Sequence, residues 1–78
     1  MNGISEFVKE VIAHRFGIDM DQVTENTRFI EDLGTEGFDA DLAMDFEDDF
    51  GCEIPDEAAQ GILTVGDLIR YLEQHASW

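Results

Sequence analysis

The stretch Glu36-Gly-Phe-Asp-Ala-Asp-Leu-Ala-Met-Asp-Phe-Glu-Asp-Asp-Phe50 decides the fold of this chain. Phe38, Leu42, Phe46 and Phe50 recur at every fourth position and Ala43 widens the stripe, so the spacing predicts a helix from about Glu36 to Phe50 with one apolar face. Thr35 is read as its N-cap. Glu36 and Asp39 put negative charge in the first turn, where the helix dipole favours it, and Gly51 is placed to end the helix. Seven of the fourteen residues from Glu36 to Asp49 are acidic. On a helix Asp41, Asp45 and Asp48 share a face, with Asp49 beside them and the aromatic stripe largely opposite.

Working outward, Ile4, Phe7, Val8, Val11, Ile12 and Phe16 carry the same helical spacing, and Gly17 follows the last of them. Residues 17–35 form a long connection rich in turn and cap formers. Ile18, Val23, Phe29, Ile30 and Leu33 interrupt it, which predicts an ordered loop pinned across the other elements. Beyond Gly51, Pro55-Asp-Glu-Ala-Ala59 suits the first turn of a short helix that Gly61 would stop. Thr64 and Asp67 have the spacing of a capping box, followed by Val65, Leu68, Ile69 and Leu72 and an end near Gln74. The expectation is one all-α domain over residues 1–78, a bundle of three main helices and one short helix with a long first loop.

Seventy-eight residues support a single core, and Cys52, the sole cysteine, rules out an internal disulfide framework. Nineteen Asp and Glu against four Lys and Arg give a formal charge of −15. Such a surface repels nucleic acid and anionic lipid and attracts basic protein patches. Six Phe and a steady supply of Ile, Leu and Val argue against the disorder that acidity alone would suggest. No apolar run approaches the roughly 20 residues of a membrane span, and the first residues lack the basic and apolar regions of a secretory signal. The protein is expected to be cytoplasmic and monomeric, without nucleic-acid or membrane partners.

The segments Phe29-Ile-Glu-Asp-Leu-Gly34 and Glu53-Ile-Pro-Asp-Glu57, with the Thr64-Val65 opening of the last helix, resemble acyl carrier proteins. The resemblance covers nearly the whole chain and implies a four-helix bundle. In that family an Asp-Ser-Leu motif opens the second helix, and its serine receives phosphopantetheine, whose thiol carries acyl groups. Here Asp32-Leu33-Gly34 is followed by Thr35-Glu36-Gly37-Phe38, and the stretch from Gly34 to Phe50 is one residue short. The serine position therefore falls at Gly37 or Glu36, neither of which has a hydroxyl, and the serines of the chain are Ser5 and Ser77.

From that departure the sequence reading expects no cofactor. It expects a non-catalytic interaction module that has lost the attachment site and docks on acyl-processing enzymes of fatty-acid or polyketide-type synthesis. The resemblance implies docking through the second helix, so Glu36, Asp39, Asp41, Asp45, Asp48 and Asp49 are the expected contacts with basic patches. The alternative is a true acyl carrier modified at an unexpected residue. Cys52 lies near Asp48, Asp49 and Glu53, which oppose thiolate formation, and is read as an incidental thiol. Asp45, Glu47 and Asp49 alternate as in half of an EF-hand loop, but Gly51 is misplaced and the reading would strand Phe46 and Phe50; no metal is expected. His14 and His75 are read as solvated, and no catalytic set is present, so the chain is not expected to be an enzyme.

Overall fold

Helical spacing became helices, with one start displaced. The computed structural model describes residues 3–76, which leaves Ser77 outside the described residues. The order is α1 (Gly3–Phe16), a single 3₁₀ turn (Met20–Gln22), α2 (Ala40–Phe50), α3 (Asp56–Gln60) and α4 (Val65–His75). This is the all-α bundle of three main helices, one short helix and a long first loop.

The largest difference from the sequence reading lies at the start of α2. The helix begins at Ala40, and its N-cap is Asp39, whose side chain accepts the Leu42 N–H at 3.0 Å. Glu36, Gly37 and Phe38 precede it as bends. Gly37 has φ +119°, a conformation closed to a helix and rarely adopted by any residue with a Cβ. Thr35 is therefore not a cap. At the other end of the chain the capping box is complete: Thr64 Oγ1 accepts the Asp67 N–H at 3.1 Å, and an Asp67 carboxylate oxygen accepts the Thr64 N–H at 3.2 Å.

The four α-helices share one core, α3 through its partly buried Ala58 and Ala59. Val8 and Ile12 from α1, Leu42, Phe46 and Phe50 from α2, and Val65, Leu68 and Leu72 from α4 are buried. Each such side chain contributes about 1.5–3 kcal/mol by leaving water. Phe29 is fully buried as well, and it belongs to the loop. The loop is held by backbone bonds to the entrance of α4: the Phe29 N–H to the Leu63 carbonyl at 3.2 Å, the Val65 N–H to Thr27 at 2.9 Å and the Gly66 N–H to Glu25 at 2.9 Å. Those bonds answer the question of where a long connection puts its buried polar groups.

Candidate functional site

Phe29 anchors the segment leading into α2. Its carbonyl accepts the Thr35 N–H at 3.1 Å and lies 3.0 Å from Thr35 Oγ1. The same hydroxyl accepts the Gly37 N–H at 2.9 Å, so it stitches the turn that aims Gly37 and Phe38 at the bundle. Upstream, the Asp32 carboxylate accepts the Arg28 N–H at 2.8 Å and pairs with its guanidinium. These bonds hold the Asp32 carboxyl below the usual carboxylate range, the backbone bond contributing most.

A cavity of about 590 Å³ opens beside this turn, between the loop, the start of α2 and α3. That is the size range of small-molecule sites. Gly37, Phe38, Ala59 and Ile62 line it, with Ile30 and Leu63 at its sides. Ile30 and Leu63 are 56% and 62% exposed, unusual for large apolar residues in so small a protein. A Cβ placed on Gly37 would meet nothing nearer than Ile30 at 3.9 Å. Glu31, Glu36, Asp39 and Asp56 stand around the rim.

The expected docking residues fall into three groups. Asp41, Asp48 and Asp49 are exposed on α2. Glu36 and Asp39 are exposed too, but they sit in the loop at the cavity. Asp45 is half-buried and ion-paired with Arg15 of α1, so it belongs in part to the helix–helix contact. Arg15 was not singled out from the sequence, because nothing local signals a partner thirty positions away. Ile30 and Leu63 were also missed as cavity walls; each reads as ordinary core in sequence.

Cys52 is half-buried, and burial first, then the Glu47 carboxylate, pushes its thiol up. The sequence reading had the direction right but credited Asp48, Asp49 and Glu53. Glu47 itself accepts the Ile54 N–H at 2.6 Å. The Asp45, Glu47, Asp49 alternation lies within α2, not in a loop, and among the described residues no cluster of three or more His, Cys, Asp or Glu is gathered to hold a metal ion. His14 and His75 are both exposed, and His75 also stacks on Tyr71 with centroids 4.3 Å apart. No helix of the described residues is long and apolar enough to cross a membrane.

The four-helix bundle is the fold typical of carrier domains, and residues 6–72 match the family described as "Phosphopantetheine attachment site". Acyl carrier proteins from Bradyrhizobium sp. (strain ORS 278) and Nitrobacter hamburgensis are each 47% identical over 77 residues, covering 97% of this chain and 98% of theirs. A solved structure of the acyl carrier protein from Enterococcus faecalis superposes with a TM-score of 0.78 at 32% identity, over 94% of each chain. The chain belongs to the acyl carrier protein family, whose members are carriers and not enzymes.

This corrects the sequence reading on one central point. A module that has lost its attachment site and takes no cofactor is not what a family match running through that site, at this identity and coverage, supports. The inference from a missing serine to a missing prosthetic group is withdrawn. Position 37 remains a glycine and position 36 a glutamate, and the hydroxyl nearest to both is that of Thr35.

Proposed function

We propose that this protein is an acyl carrier of the cytoplasm, serving acyl-processing enzymes of fatty-acid or polyketide-type synthesis, and that Thr35 holds the phosphopantetheine arm. The observation that carries the reading is the near full-length relation to acyl carrier proteins. The bound group supplies a thiol on which acyl groups ride as thioesters. Thr35 is the only Ser, Thr or Tyr from Phe29 to Asp49, and Asp39 relieves it of the capping role that sequence assigned to it. Its hydroxyl is bound to Phe29 and Gly37, so modification there requires giving up hydrogen bonds worth about 0.5–1.5 kcal/mol each. A bound transferase can offset that cost.

Basic patches on partner enzymes are read here as meeting Asp41, Asp48 and Asp49 on α2, with Glu36 and Asp39 at the cavity rim. Their exposure and the charge of −15 support attraction over distance. Asp45 contributes less, being committed to Arg15.

The test is intact mass after incubation with coenzyme A and a broad phosphopantetheinyl transferase. The wild type should gain the mass of one phosphopantetheine, and Thr35→Val should gain none. A wild type left unmodified under conditions that convert another acyl carrier protein would end the carrier reading. Full modification of Thr35→Val would move the attachment to another residue.

A further inference from the structure

A second hollow, of about 470 Å³, lies between α1 and α2. Phe7 and Val11 make its floor; they stand one turn apart on the same face of α1, and both are half-buried. The Phe7 ring packs edge-on against Phe50, centroids 5.3 Å apart, so the floor has its shape before anything binds. Glu10 and His14 form the α1 wall and Asp48 and Asp49 the α2 wall, all four exposed. The Arg15–Asp45 ion pair lies at the end away from Phe7. From Phe7 to His14 the groove follows α1 for about 10 Å, two helical turns.

An apolar floor between acidic walls fits the converse pattern, an apolar side chain flanked by Lys or Arg. Arg15 is the one Lys or Arg that lines the groove, and it is committed to Asp45. A second copy of the chain lacks the complementary surface. Its three arginines are each paired with carboxylates, at Asp45, at Glu31 and at Asp67, and its charge of −15 repels its own kind. Nucleic acid and anionic lipid are repelled for the same reason. A basic amphipathic helix of another protein meets every condition: two turns of it set apolar side chains at i and i+4 over Phe7 and Val11, while its basic ones reach Glu10, Asp48 and Asp49.

We propose that the α1–α2 groove is a second docking site, which seats a basic amphipathic helix of a partner protein. It shares no lining residue with the cavity beside Gly37, so a partner held there leaves the Thr35 end of the molecule uncovered. The assignment goes beyond the carrier reading and does not depend on where phosphopantetheine is attached. Its probe is a fluorescein-labelled helical peptide of 14 residues with leucines at i and i+4 flanked by arginines. A second peptide has serine for both leucines at the same charge. Fluorescence anisotropy at 0.15 M salt, where attraction beyond about 8 Å is screened, gives the affinities.

The leucine peptide should bind at least tenfold more tightly than the serine one, and Val11→Ser should remove most of that difference. Glu10→Lys, at an exposed wall where folding is not at stake, should weaken binding at least tenfold. Asp41→Lys makes the same charge change about 10 Å along α2 from Asp48 and should cost less than threefold. Amide shifts in a nitrogen-15 spectrum should move at Val11, His14 and Asp48 and stay in place at Thr35 and Gly37. If Val11→Ser fails to fold, Glu10→Lys against Asp41→Lys still decides. Equal losses in those two variants, equal binding of the two peptides, or shifts gathered at Gly37 would overturn the proposal. So would a dimer in sedimentation equilibrium that Glu10→Lys abolishes, since the groove would then belong to a second copy. Failure here leaves the mass gain from coenzyme A, and the carrier reading with it, untouched.

Discussion

Gly66 gives a sharp test of how the first loop is fastened. It is the second residue of α4, where alanine would ordinarily help a helix by up to about 1 kcal/mol. Here a Cβ would lie 2.8 Å from the Glu25 carbonyl oxygen and 3.1 Å from Glu25 Cβ. The first is a backbone atom, so it cannot swing aside as a side-chain tip could. It is also the acceptor of the Gly66 N–H, at 2.9 Å. Overpacking of this kind costs about 1–3 kcal/mol, and weakening the hydrogen bond adds about 0.5–1.5 kcal/mol. Gly66→Ala should therefore be destabilised by a net 1–3 kcal/mol or so, which for a domain of this size lowers Tm by about 4–8 °C per kcal/mol. Urea titration followed by circular dichroism measures the loss, and amide exchange should quicken at Gly66 and Val65. A variant as stable as the parent, or more so, would mean that propensity outweighs the contact and that the loop is not held at this point.

Three further outcomes are expected. Melting temperature should rise between low and moderate salt, because salt screens a charge of −15 over about 8–10 Å at 0.1–0.15 M; a flat response would show that the repulsion is unimportant. Asp67 is partly desolvated, which raises its pKa, but hydrogen bonds from the Leu63 and Thr64 N–H groups and from Arg70 together hold it below the ordinary carboxylate value. Its stabilisation is thus full above the unfolded value near 4 and fades as pH falls through the lower folded one, so Asp67→Asn should be less stable at pH 7 by about 0.5–2 kcal/mol and should converge with the wild type once the pH lies below both values. Asp41→Lys with Asp48→Lys should slow association with a basic partner enzyme and reduce its salt dependence with little change in stability, as stopped-flow mixing and thermal melts would report; an unchanged rate would make α2 a merely solvated face.

The parts of the fold that sequence revealed are those with local signals. The Phe46 and Phe50 spacing, the Thr64 and Asp67 box and the Pro55 start each depend on residues a turn or two apart, and each element formed. The start of α2 was misjudged because Thr35 and Asp39 are both good caps. Propensity alone does not rank them, whereas the positive φ of Gly37 settles the choice. Asp45 was read as part of the acidic face of α2, and its pairing with Arg15 depends on how α1 crosses α2. The cavity was invisible for the same reason, since the first loop with Ile30 and Phe38, α3 with Ala59 and the connection with Leu63 meet only in the folded chain. On the cofactor, one absent side chain was given more weight than kinship along the rest of the chain, and the comparison of whole sequences reversed it.

The fastening of the loop has a consequence for the order of events during synthesis. Thr35 takes its place by bonding to the Phe29 carbonyl, and the Phe29 N–H is met by the Leu63 carbonyl. Thr27 is met in turn by the Val65 N–H. A ribosome that has made α1, the loop and all of α2 has still not made the acceptor and donor that fix the shape around Thr35. Closing so wide a loop pays its entropy before the contacts repay it. On the proposed attachment at Thr35, the surface that a transferase would recognise is therefore complete only after the chain has emerged past Val65.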